Sequence, residues 1–365
     1  MGLAGRAQAD AEAEIHPPPR WAEVEGPEAR EVLACHYGVV PRSLQRLSRS
    51  SVNALFRLTS RNGARLLKRL GRDPGPKWPD LHAHALRRVR RQGVPVVPLV
   101  ESVTGATTVR HGGSLWQLSR YVPGRAFQDG DGGELRSVAR CVAAIHAVPL
   151  AGLPVGVSDP TRDVETWLEH GPDALECLRD AVRGAAGVPA AEMARWDGAY
   201  SGALDRALGE LDASGYACLP RVLTHGELTG SNLRFDPGTG ALLAVLDWDG
   251  VAVRPRAYDL ARGALFLARR HRKSFAVYGE LVASFLDEVA GAAPVTPAER
   301  DALVPILELF FVPTPHYVQA LRRHAPGSLP WFLNWSAEGA STVRSILEPH
   351  LRGGPGRAAN REERR

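Results

Sequence analysis

His225, Gly226, Glu227 and Leu228 are followed by Asn232, and Asp247 comes fifteen residues after Asn232, two residues before Asp249. An amide oxygen and carboxylates are hard donors, the type that holds a divalent cation bridging phosphate groups. A carboxyl at 227 has the chemistry to orient a hydroxyl and take its proton. Together these residue types suit metal-assisted phosphoryl transfer to an alcohol, in which positioning and charge do most of the work. Asp249 reads either as a second metal ligand or as a surface carboxylate.

Asn232 and Asp247 meet if 231–236 and 241–247 form a hairpin about the turn from Pro237 to Gly240. The rest of the chain has to position that hairpin. From Leu44 to Leu70 the pattern predicts three short strands, the last two joined at Asn62-Gly63 with both central residues at positive φ. Lys68, one of only three lysines in the chain, falls on the third strand. A helix follows from Pro79 and Asp80, with Leu81, Ala85, Leu86 and Val89 on one face and Gly93 at its end. Strands are expected in 94–100 and 114–122, the second after a turn at His111, Gly112 and Gly113. Pro123 and Gly124 punctuate a boundary. Beyond it Leu135, Val138, Val142 and Ile145 set a helical period that recurs over about 161–216 and 257–350. The expected organisation is a tail at 1–27, a small sheet lobe at 28–122, a mainly helical lobe at 123–352 and a second tail at 353–365.

His225 to Asn232 has the spacing of a kinase catalytic loop, Asp247 stands where a metal-binding Asp follows it, and Lys68 stands where the phosphate-contacting lysine lies. With Arg120 to Gly124, Ala143 to His146, Leu246 to Asp249 and Ala257 to Ala261, these pieces span about 40–265 in order. The sequence resembles the aminoglycoside phosphotransferase and choline or homoserine kinase family, relatives of protein kinases. That resemblance implies an α+β bilobal protein-kinase-like fold with a small antiparallel-sheet N-lobe, and use of ATP and Mg2+. It implies that Asp259 braces the catalytic loop, that Ser119 and Tyr121 meet the adenine, and that Ser51 and Asn53 meet phosphate. His225 reads as a brace of the same loop, and Glu227 as the catalytic carboxylate. The chain departs from the family in having Glu227 where an Asp is usual, and His82 or His84 where a glutamate usually pairs with the lysine. Two functions fit: transfer of the γ-phosphoryl group to a hydroxyl of an aminoglycoside, amino alcohol, sugar or peptide Ser/Thr, or a catalytically impaired kinase-like module (a pseudokinase) acting through nucleotide or partner binding.

The chain has 365 residues, 44% of them hydrophobic and 23% charged, which is ordinary for a soluble globular protein. No apolar run is long enough for a membrane span and no signal peptide is evident, so a cytoplasmic protein without a membrane partner is expected. Net charge is +5. The densest basic run, Arg269 to Lys273, lacks interleaved aromatics and predicts a solvated helix face, not a nucleic-acid site. Four scattered cysteines predict reduced core thiols. Trp331, Phe332 and Trp335 read as core, with an acceptor pocket as the alternative. Asp287, Glu288, Glu299 and Asp301 read as solvated helix faces.

Overall fold

A computed structural model describes residues 22–47, 53–154, 162–183 and 189–351. In chain order its elements are α1 (Ala22–Tyr37), β1 (Ser43–Arg46), β2 (Ala54–Ser60), β3 (Gly63–Arg69), α2 (Trp78–Arg91), β4 (Val109–His111), β5 (Ser114–Arg120) and α3 (Gly132–His146). Then come α4 (Asp163–Arg183), α5 (Ala190–Glu210), α6 (Ala213–Cys218), β6 (Arg221–Thr224), β7 (Leu233–Phe235), β8 (Leu242–Val245) and β9 (Ala252–Pro255). The chain closes with α7 (Arg256–Phe266), α8 (Gly279–Ala290), α9 (Pro297–Phe311), α10 (Pro315–His324) and α11 (Leu329–Leu351). The chain divides into two compact units. One takes the described residues up to 72, 99–121 and 319–331; the other takes the described residues of 73–98, 122–318 and 332–351.

The first unit is an antiparallel sheet in the order β1-β2-β3-β5-β4. Alternation along the strands turns Phe56, Leu58, Leu67, Trp116 and Leu118 onto one face, which Ala29, Val32, Leu33 and Tyr37 of α1 cover. Lys68 pairs with Gln117 and Leu66 with Ser119, so Lys68 and Ser119 share the opposite face. The β2–β3 turn differs from the expectation. Ser60 pairs with Gly63, so the loop is Arg61-Asn62, and only Gly63 takes positive φ, at 93°. Glycine is the residue that tolerates that conformation at the mouth of a tight turn. The run 94–100 is not a strand either. It makes only isolated bridges at Val96 and Leu99, because Pro95 and Pro98 have no amide hydrogen to give to a ladder. The short strand before the glycine turn is β4.

In the second unit α2 forms as expected, with Pro79 in its first turn and Gly93 at φ 81° just past its end. β6 pairs with β9 and β7 with β8, each antiparallel. Around them α9 packs on α5 and α7, and α3 packs on α8. Arg256 at the start of α7 is buried and held by both oxygens of Glu299, at 2.7 Å each, and by the carbonyls of Ala293 and Pro294. Glu299 also closes a capping box with Thr296. It is therefore fully buried and not part of a solvated face. The sequence Thr296-x-x-Glu299 carries the capping-box signal.

The basic run also departs from the expectation. α7 ends at Phe266, so Arg269 to Lys273 occupy the turn that follows, and Arg269 is buried against Phe266. The cysteines are free, but Cys35, Cys177 and Cys218 are exposed and Cys141 alone is partly buried, which pushes its thiol up to about 11. Trp331 is 62% exposed and thus not core. No described helix is long and apolar enough to cross a membrane.

Candidate active site

β6 ends at Thr224 opposite Ala252 of β9, so the loop 225–232 and the loop 246–251 leave the same ladder side by side. The β7–β8 hairpin then closes the pair, with Leu233 opposite Val245 and the Leu246 amide donating to the Asn232 carbonyl at 2.7 Å. This places Asn232 beside Asp247, as the hairpin pattern predicts. The Asn232 side chain donates from Nδ2 to the Glu227 carbonyl at 2.8 Å, which fixes its amide orientation and makes Oδ1 the atom that could hold a cation.

Two glycines allow these loops to touch. Gly226 has φ 80°, and a Cβ there would lie 2.2 Å from the Gly250 carbonyl oxygen. A Cβ on Gly250 would in turn lie 3.0 Å from Glu227 Cγ, so the longer carboxylate side chain rests on Gly250. Gly226→Ala combines left-handed strain with a backbone clash. It is expected to lower Tm by about 5 °C or more and to remove most turnover. Gly240→Ala is the control, since Gly240 also has positive φ but faces open space; calorimetric scans of the two variants separate strain from clash.

His225 is fully buried, with its ring 4.5 Å from that of Trp248. Its Nε2–H donates to the Leu246 carbonyl at 2.9 Å, and its Nδ1 accepts the Glu227 amide at 3.1 Å. A carbonyl cannot donate and an amide N–H cannot accept, so the ring is the neutral Nε2–H tautomer. Burial pushes its pKa below the ordinary value in the same direction. The imidazole is a brace between the two loops.

Asp259 lies at the first turn of α7 with no exposure. Its carboxylate accepts the His225 amide at 2.8 Å, the Gly226 amide at 3.0 Å and the His146 Nε2 at 3.2 Å. Burial alone would raise its pKa, but the hydrogen bonds from His146 and from the Gly226 amide outweigh it and hold the group at about 2 instead of 3.8. A depressed carboxylate stabilises the fold above its unfolded pKa and loses that contribution as pH falls through the folded value. Urea titrations are therefore expected to show about 2 kcal/mol of stability from this group at pH 5, fading between about pH 4 and 2.

Asp247 takes φ 60° and ψ 68°, one of two non-glycine residues at positive φ among the described residues. That conformation costs about 1–2 kcal/mol in an ordinary residue and is least costly for Asn and Asp. It aims Asp247 out of the strand while the next three residues form a short 3-10 turn. Asp249 in that turn is buried, which removes the surface reading. Among the described residues no group of three or more His, Cys, Asp or Glu gathers as a metal cage. Asn232 and Asp247 offer one amide oxygen and one carboxylate that could hold a hard cation, its shell completed by water and phosphate oxygen.

Lys68, Ser119 and Tyr121 lie in the other unit, where the Tyr121 amide donates to Ala64 of β3 and Arg57 stacks on the Tyr121 ring at 4.5 Å. Asn53 accepts the Gly71 amide at 3.0 Å and so ties the start of β2 to the end of β3. Ser51 lies outside the described residues. The sequence assigns no site role to three further contributors. His146 reaches Asp259 across 113 residues, a pairing that no local pattern announces. Gly250 is signalled by its place after Asp247-Trp248-Asp249. Gly124, whose Cβ would lie 2.8 Å from the Phe235 carbonyl, lets Arg125 and Phe235 exchange backbone hydrogen bonds.

A five-stranded antiparallel unit, a helical unit and a braced loop followed by a hairpin define a kinase-like phosphotransferase fold. A sequence profile described as the phosphotransferase enzyme family matches residues 43–296, and the chain belongs to that family. It is 27% identical over 193 residues to an aminoglycoside 3'-phosphotransferase of Streptomyces fradiae, a match spanning 50% of this chain and 62% of that protein, less than two thirds of its length. Among solved structures, a microcompartment-associated aminopropanol kinase superposes with a TM-score of 0.65 at 20% identity, covering 90% of this chain and 99% of its own. Spectinomycin phosphotransferase in complex with ADP and spectinomycin superposes with a TM-score of 0.61 at 12% identity, covering 88% and 98%.

Proposed function

We propose that the protein is an ATP- and Mg2+-dependent phosphotransferase that moves the γ-phosphoryl group to a hydroxyl of a small molecule. The observation that carries this reading is the adjacency of Asn232 and Asp247 on a loop pair locked by His225 and Asp259. Bound Mg2+ supplies charge neutralisation for the transferred group. Asn232 Oδ1, Asp247 and Asp249 would hold that cation. Glu227 orients the acceptor hydroxyl and takes its proton, and its backbone is fixed by Asn232 and His225. Lys68, on the face of the sheet shared with Ser119, meets the phosphates, while Ser119 and Tyr121 border the adenine and Ser51 and Asn53 the phosphate loop.

Titration calorimetry with a non-hydrolysable ATP analogue, with and without Mg2+, tests the site directly; acceptor-dependent ADP release across a hydroxyl panel tests the transfer. Glu227→Asp is expected to retain or raise turnover, because it keeps the carboxylate and restores the family's usual side chain. A second reading, a kinase-like binding module, rests on the Glu at 227 and on the histidines of α2, where His82 packs on Trp78 and His84 bonds the Asp80 carbonyl. Nucleotide binding with no ADP release by wild type or Glu227→Asp selects that reading.

A further inference from the structure

Arg254 sits on β9 opposite Val222 of β6, on the ladder from which both site loops leave. It is only 1% exposed, and a guanidinium taken that far out of water has to be matched by polar partners. The partners come from three segments. Nη2 donates to the Gly250 carbonyl at 2.8 Å, the guanidinium lies 4.2 Å over the ring of Tyr258 at the start of α7, and Nη1 stands 4.0 Å from Oδ1 of Asp163 at the start of α4. Tyr258 donates its hydroxyl hydrogen to Oδ2 of the same carboxylate at 2.6 Å and accepts from Arg262 at 3.2 Å. Asp163 thus serves two buried guanidinium groups, Arg254 directly and Arg262 through the Tyr258 hydroxyl, and the charge of Glu227 adds to the compensation of Arg262.

The Gly250 carbonyl is where this cluster meets the site. The peptide that joins Gly250 to Val251 is held at both ends: its N–H donates to the Trp248 carbonyl at 3.1 Å, which closes the 3-10 turn, and its C=O accepts from Arg254. That turn carries Asp249 and follows directly on Asp247. The same carbonyl oxygen is the atom that a Cβ on Gly226 would meet at 2.2 Å, and a Cβ on Gly250 would lie 3.0 Å from Glu227 Cγ. Turning this peptide in either direction would therefore disturb three things together: the Gly226 contact, the floor beneath Glu227 and the turn that carries Asp249. Glu227 is one methylene longer than the Asp usual in the family, so the placement of its carboxylate depends on that floor.

Resting on the phosphotransferase reading above, we propose that Arg254 is a positioning residue for the turn that carries Asp249 and for the seat of Glu227, acting through the Gly250 carbonyl, and that Asp163 acts through Arg254. A charge-assisted hydrogen bond gives that carbonyl one orientation, and its loss leaves a buried acceptor unsatisfied beside the site. The tie runs from the first turn of α4 to the Asp247–Gly250 segment, so a change at Asp163 reaches the cation side of the site through Arg254.

Titration of the full chain with AMP-PNP, with and without Mg2+, and fluorine NMR of the 5-fluorotryptophan-labelled protein test this. Arg254→Met is expected to weaken Mg2+-dependent binding at least about fivefold while Mg2+-free binding stays within about twofold of wild type, because the lost hydrogen bond acts on the turn and not on the nucleotide. Arg254→Lys keeps the charge and a donor without the planar fork; it is expected to lie between the two, at least about twofold below wild type, and it carries the test if Arg254→Met does not fold. Asp163→Asn is expected to weaken Mg2+-dependent binding at least about threefold alone and to add less than about 1.5-fold to either Arg254 variant. Without nucleotide, the Trp248 resonance, assigned by its loss in Trp248→Phe, is expected to shift or broaden in the Arg254 variants while those of Trp116 in the sheet and Trp196 on α5 keep their positions. Equal losses with and without Mg2+, additive effects of the 254 and 163 substitutions, or binding and a Trp248 signal like wild type would overturn the proposal. A wild-type protein with no Mg2+-dependent binding would instead remove the phosphotransferase reading, and the Trp248 signal would still decide whether Arg254 holds the turn.

Discussion

Asp247→Asn is expected to lower turnover by about a thousandfold or more while Tm stays within about 2 °C of wild type. The choice of asparagine follows from the backbone. At φ 60° the position favours Asn and Asp, so the amide keeps the left-handed turn and the direction of the side chain while removing the charge. Alanine would confound the result by adding backbone strain to the loss of the ligand. The chemistry asks for a carboxylate here because a divalent cation on a triphosphate is held by charge as much as by geometry, and an amide oxygen offers only a dipole. Titration of the variant with the ATP analogue should lose the Mg2+-dependent part of binding and keep any Mg2+-independent part. An Asp247→Asn protein that turns over at the wild-type rate would remove Asp247 from the metal site and with it the central support for the proposed reaction.

The site was legible in the sequence wherever its parts are close along the chain. The spacing from His225 to Asn232 and on to Asp247 encodes a loop and a hairpin, and the hairpin register brings the two residues to neighbouring positions. The sheet and the helices were legible for the same reason, since period-two and period-3.6 apolar patterns report which face is buried. What escaped was set by tertiary contact. The apolar run at 94–100 looks like a strand by composition, but two prolines limit it to single bridges, one of them to Val245 at the end of β8. Glu299 looks solvated among charged neighbours, and only the arrival of Arg256 from 43 residues away buries it. His146 ends a helix like any other terminal histidine until Asp259 faces it. Asp249 shows the same limit, since nothing local distinguishes a buried turn carboxylate from an exposed one.

Those long-range contacts converge on Asp259, which makes its replacement the most severe test of how the loop is built. In Asp259→Ala the amides of His225 and Gly226 and the Nε2 of His146 lose their acceptor in a region with no solvent access. Unsatisfied buried donors cost about 1–3 kcal/mol each. Even partial relaxation should leave a loss of about 3–5 kcal/mol, a fall in Tm of about 10 °C for a unit of this size. Asp259→Asn retains one acceptor oxygen but turns an NH2 group toward a donor, so its stability is expected between wild type and alanine while its turnover falls nearly as far as alanine's. The rate falls because the loop positions the backbone on which Glu227 and Asn232 depend, and a displacement of about 1 Å costs on the order of a hundredfold. Urea titrations at several pH values supply the independent check. In both variants the loss of stability between about pH 4 and 2 attributed to this carboxylate should be absent, since no group remains whose pKa is held at about 2. An alanine variant with unchanged Tm and the wild-type acid limb would mean that the loop is held by the His225 ring and the Gly226–Gly250 contact alone.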